Sequence, residues 1–120
     1  MPSLNTFGSI LTYAINLETQ LKTYYENGGD TAQAQAADKR RSNLERVRRE
    51  NVLEITLEAI DGLAEENYSF DFDDTSATGQ TAVETTAAQF YTDVAPKINV
   101  RQAQRVLERY AKQHTALANA

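Results

Sequence analysis

Phe7, Leu11, Ala14, Leu21 and Tyr25 recur at alternating steps of three and four residues, the spacing of one face of an α-helix. Glu18 falls in the same series, between Ala14 and Leu21. A carboxylate in the middle of an apolar stripe needs a partner once the stripe is buried, because a bare charge taken out of water is costly. This position limits the chain to folds in which a helix carrying Glu18 packs against elements that answer it.

The pattern has an echo. Glu18-Thr19 precedes the adjacent aromatics Tyr24-Tyr25 by the same interval as Glu84-Thr85 precedes Phe90-Tyr91. Duplication of a helical hairpin produces such a repeat, and two related hairpins make a four-helix bundle.

At 120 residues the chain is expected to form one domain around a single core. It has no Cys, which removes disulfides and thiolate metal sites. A net charge of −5 argues against a nucleic-acid binder that works through bulk electrostatics. No apolar run approaches the ~20 residues that span a membrane. Met1-Pro-Ser-Leu-Asn5 does not resemble a signal peptide, so a soluble, cytoplasmic protein is expected.

Along the chain, Asn5 or Thr6 can cap a first helix that runs to about Tyr25 and ends at Asn27-Gly28-Gly29. Asp30-Thr-Ala-Gln33 has the form of a capping box for a second helix reaching about Leu63. The polar first half of that helix (33–41) is expected to project from the core or pack loosely. Its second half has the stripe Leu44, Val47, Leu53, Leu57, Ile60 and Ala64, with Glu50 between Val47 and Leu53. Lys39, Arg40, Arg41, Arg46, Arg48 and Arg49 interleave with Glu45, Glu54 and Glu58, the pattern of a solvated, ion-paired face.

An irregular crossover follows over 65–78, in which Tyr68, Phe70 and Phe72 alternate with polar residues. Asp71-Phe-Asp73-Asp74 hints at a calcium loop but lacks that pattern's glycine and distal glutamate. A third helix is expected from Thr78 or Thr81 to Ala95, closed by Pro96. Its stripe is Glu84, Ala87 or Ala88, Tyr91, Val94 and Ile98. Asn99-Val-Arg-Gln102 has the form of a capping box for the fourth helix. That helix gathers Ala103, Leu107, Tyr110, His114 and Leu117 on one side.

Glu18, Glu50, Glu84 and His114 thus each occupy the seam of a different helix. Singly, each has a structural explanation: Glu18 at the rim, Glu50 paired with Arg46, Glu84 wet in a box with Thr81, His114 bonded to a tyrosine. Jointly, carboxylates meeting in one low-dielectric space must hold a cation, share protons or stay open to water. An oxygen-rich set with one imidazole suits iron, manganese or zinc. Tyr25, Tyr91 and Tyr110 lie on the same seams, placed to hydrogen-bond those ligands.

Ala14-Ile-Asn-Leu-Glu18 with its aromatic pair, Glu84 with Phe90-Tyr91, and Arg105-Val-Leu-Glu-Arg-Tyr-Ala-Lys112 resemble the ferritin-like superfamily, nearest its rubrerythrin-like branch. The resemblance covers most of the chain outside the polar start of the second helix and the crossover. It implies a bundle in which the first and third helices each offer a Glu and the other two each offer Glu-x-x-His to two irons. Glu18 and Glu84 match the lone carboxylates, and Glu50 matches the Glu of the second helix. Leu53 stands where the following His belongs. In the fourth helix His114 stands at the Glu position and Leu117 at the His position. With both family histidines absent, the resemblance implies a reduced site for a single metal ion. The alternative is a non-catalytic scaffold or interaction protein that kept the bundle and lost the chemistry. The expected fold is all-α, a four-helix bundle of hairpins 5–64 and 79–119, with a homo-oligomer, a dimer first, as the expected assembly.

Overall fold

A computed structural model describes residues 4, 6–51 and 63–119. It contains four α-helices among these residues: α1 (Phe7–Asn27), α2 (Thr31–Glu50), α3 (Ala77–Val94) and α4 (Arg101–Ala118). The bundle is all-α, with α1 packed on α2 and α3 packed on α4.

Local chemistry sets the helix ends. The Thr6 hydroxyl accepts the Ser9 amide while Ser9 accepts the Thr6 amide, so two backbone donors at the start of α1 are satisfied reciprocally. Gly29, at φ +80°, turns the chain out of α1 in a conformation that a Cβ would disfavour. Asp30 then caps α2 through its Oδ1 to the Gln33 amide at 3.0 Å. α3 begins at Ala77, next to the earlier of the two expected starts, Thr78, and Ser76 is its cap, its Oγ taking the Gly79 amide. The box expected at Asn99 is not the cap of α4: the N-cap position is Val100 and carries no side-chain cap.

The apolar stripes face inward as their spacing requires. Phe7, Leu11, Ala14, Leu21 and Tyr25 are buried in α1, Ala87, Tyr91 and Val94 in α3, and Ala103, Leu107 and Tyr110 in α4. The start of α2 departs from expectation. It does not project: Ala34, Ala37 and Arg40 are buried, and the small alanines let α2 lie close along α1. The expected continuation of that helix to about Leu63 falls on 52–62, outside the described residues, and Leu63 itself lies in irregular backbone.

The crossover is anchored by its aromatics. Tyr68 is buried, donates to Asp93 Oδ2 at 2.6 Å, and meets Phe90 edge-on. Phe70 and Phe72 stack on each other, with Phe72 against Tyr24. The aspartates cap local turns: Asp71 accepts the Asp73 amide, and Asp74 accepts both the amide and the hydroxyl of Ser76. No helix among the described residues is long and apolar enough to cross a membrane.

Candidate functional site: a buried ionic network

The two hairpins meet through ionisable side chains. Glu18 and His114 are 0 % exposed and Glu84 is 1 % exposed. His114 lies between the carboxylates: its Nε2 is 2.9 Å from Glu18 Oε2, and its Nδ1 hydrogen-bonds Glu84 Oε2. Tyr91 donates to Glu18 Oε2 at 2.6 Å, and Tyr25 donates to Glu84 Oε1 at 2.5 Å. The remaining Glu18 oxygen accepts Arg40 Nε at 2.8 Å. Every carboxylate oxygen in the cluster therefore has a donor.

The arrangement has an internal symmetry that explains the echo in the sequence. Tyr25 lies two turns after Glu18 on α1, and Tyr91 two turns after Glu84 on α3. Each tyrosine reaches across to the other hairpin's carboxylate. Each hairpin thus supplies a Glu, a Tyr and, from its second helix, a nitrogen base: Arg40 from α2 and His114 from α4. The His114 ring also stacks on Tyr91 at 5.3 Å between centroids, nearly parallel, which fixes the direction of both ring nitrogens.

The electrostatics follow from these contacts. Burial favours a neutral His114, but hydrogen bonds and charges from Glu18 and Glu84 outweigh it and raise the imidazole's pKa. Burial likewise opposes an ionised Glu18. The His114 hydrogen bond and charge, then Arg40 and Tyr91, nevertheless hold it below the usual carboxylate range. Burial works against the charged Arg40 guanidinium too, and Glu18 more than restores it. Tyr91 moves the other way, raised well above its ordinary value by burial and by the Glu18 charge it bonds. With His114 donating from both nitrogens, two carboxylates are balanced by an imidazolium and a guanidinium, and the core is neutral overall.

Of the residues predicted to converge, three do. Glu50 does not: it is exposed at the end of α2, where it accepts Gln102 Nε2 at 2.7 Å rather than pairing with Arg46. The cause is helical phase. From Leu44 and Val47 the seam continues four residues on, to buried Asn51, whereas a second step of three rotates Glu50 away. Glu84 is not wet, and Glu18 is not at a rim. Tyr25 and Tyr91 bond carboxylates as expected, while Tyr110 instead accepts Asn43 Nδ2 at 2.8 Å.

The member that sequence reasoning missed is Arg40, which belongs to the series Ala34, Ala37, Arg40, Leu44 and Val47. Counting the alanines as apolar reveals the stripe with one cation inside it.

Two carboxylates and an imidazole are chemically able to ligate a transition metal, but as arranged they do not fit one. A histidine ligand presents a lone pair to the metal, and here both ring nitrogens face carboxylate oxygens. The Arg40 guanidinium also lies against Glu18, where a second cation would be repelled. Among the described residues, no group of three or more His, Cys, Asp or Glu side chains is disposed to hold a metal ion. No family model, curated protein or solved structure matches the chain. What the cluster can do follows from its own chemistry.

Proposed function

We propose that this chain is a non-catalytic helical scaffold or interaction protein with a ferritin-like bundle, in which an internal imidazolium and guanidinium take the place of a metal. The observation that carries this is the double engagement of His114, one carboxylate on each ring nitrogen, with Arg40 completing the charge balance. The burial of Glu18, Glu84 and His114 supports it, since none is exposed for a substrate to reach. The network's role is then to fix which faces of the two hairpins meet. An apolar core of the same volume would pack at least as stably but would specify register less strictly. The homo-oligomer expected from the sequence belongs to the same proposal, and light scattering on the purified protein gives its stoichiometry.

The competing proposal is a single iron, manganese or zinc ion held by Glu18, Glu84 and His114, favoured by their convergence on one point. It requires His114 to lose a proton and Arg40 to withdraw. Calorimetric titration of protein purified without chelators, with Fe(II), Mn(II) and Zn(II) in turn, separates the two. The scaffold proposal predicts no stoichiometric uptake. One equivalent bound with proton release, abolished in Glu84→Gln, would replace it with the metal proposal.

A further inference from the structure

A cleft of about 640 Å³ opens between α2 and α4, a size within the ~300–1,000 Å³ of small-molecule sites. Lys39, Arg40, Arg46, Arg49 and Arg109 line it, and no Asp or Glu among the described residues does. This is a strong local excess of positive charge on a chain whose net charge is −5. Elsewhere on the same helix Arg41 is clasped by Asp38 and Glu45. In the cleft, Arg46 bonds only the neutral Asn43, and Lys39, Arg49 and Arg109 have no carboxylate partner among the described residues. Like charges gathered this way repel one another unless something negative lies between them.

A second observation points to what that is. Arg40 is 5 % exposed and, with buried Tyr110, forms the inner part of the cleft lining, while the other cations stand at its exposed rim. Its Nε is committed to Glu18, and its Nη1 reaches Gln113 of the cleft lining at a long 3.4 Å. Its Nη2 is buried without any partner. A buried guanidinium with an unused donor is rare, because an unmade hydrogen bond costs more than a made one returns. One side of this guanidinium is anchored, and the residue that carries the unused donor is part of the cleft lining.

We propose that the cleft binds a small polyanion carrying phosphate groups, with Arg40 at its inner end and Lys39, Arg49 and Arg109 around the mouth. A single carboxylate would balance only one of these cations. A phosphate ester carries nearly two charges and several acceptor oxygens, which suits guanidinium forks presented from two helices. The site goes beyond the scaffold proposal: it shares Arg40 with the Glu–His–Arg core through a different nitrogen from the Nε that Glu18 holds, while Lys39, Arg49 and Arg109 play no part in that core.

The test is calorimetric titration of the full chain with pyrophosphate, with citrate as a carboxylate control. Saturable binding of one equivalent is expected, weakening steeply with added salt and at least tenfold tighter than for citrate. The double variant Arg49→Gln/Arg109→Gln, both exposed and outside the core, should weaken it on the order of tenfold or more. Arg101→Gln/Arg105→Gln, an equal loss of charge at exposed positions of α4 outside the cleft lining, should leave it unchanged. Far-UV circular dichroism confirms that the variants remain folded. Absence of saturable pyrophosphate binding, equal binding of citrate, or equal losses in Arg101→Gln/Arg105→Gln and the cleft variant would each overturn the proposal.

Discussion

Replacing His114 with Phe keeps a ring stacked on Tyr91 and removes only the two polar contacts. Glu18 would retain Arg40 and Tyr91, but Glu84 would be left with Tyr25 alone. Two buried carboxyls would then share one cation. Taking one partner from a buried ionic set costs about 3–5 kcal/mol, a large share of the ~5–15 kcal/mol that holds a domain together. For a domain of this size the lower figure corresponds to a fall in Tm of roughly 10 °C at neutral pH. The variant's deficit should shrink on acidification, as one of the two carboxyls takes up a proton. Adding Glu84→Gln should restore at least about 1 kcal/mol, because the surplus charge is gone. Thermal and urea denaturation followed by circular dichroism measures all three effects. A His114→Phe midpoint within about 2 °C of the parent, or a double variant no more stable than the single, would refute the charge-balance reasoning.

Other perturbations test different contacts. In the parent protein His114 has a raised pKa, so its contribution is complete below its ordinary 6.5 and is lost as pH rises through its folded-state value. Glu18 has a lowered pKa, so its contribution is complete above its ordinary 4.5 and is lost as pH falls through its folded-state value. A plot of Tm against pH should therefore peak between those two ordinary values. Tyr25→Phe removes a hydrogen bond to a buried carboxylate and should cost about 1.5–3 kcal/mol in urea denaturation. Glu50→Ala touches only an exposed bond to Gln102 and should stay within about 0.5 kcal/mol of the parent. Gly79→Ala would place a Cβ 2.2 Å from the Asp74 carbonyl oxygen, so the α3 entry must shift, at a cost of about 1–3 kcal/mol despite alanine's better helix propensity.

The fold and most of the polar core could be read from the residues because the helical stripes are dense. Glu18 is flanked on both sides by buried apolar neighbours in phase, Glu84 opens the stripe that continues through Ala87, Ala88 and Tyr91, and His114 follows Ala103, Leu107 and Tyr110 at three- and four-residue steps. Helix α2 was harder for two physical reasons. Its seam is built from alanines, so hydrophobicity alone does not mark it, and its charged run hides which single cation turns inward. The choice of Glu50 came from repeating a step of three, which drifts off a face that returns every 3.6 residues. Whether a carboxylate cluster is answered by a metal or by the chain's own cations depends on side chains from α2, the helix whose pattern says least.

His114 is the chain's only histidine, so its ring gives an unambiguous nitrogen NMR signal. At neutral pH the structure predicts an imidazolium with both ring nitrogens protonated, their protons shifted downfield and protected from exchange by the Glu18 and Glu84 bonds. A neutral ring with one bare nitrogen would contradict the account, because one buried carboxyl would then have to hold the proton itself or meet a cation from outside the chain.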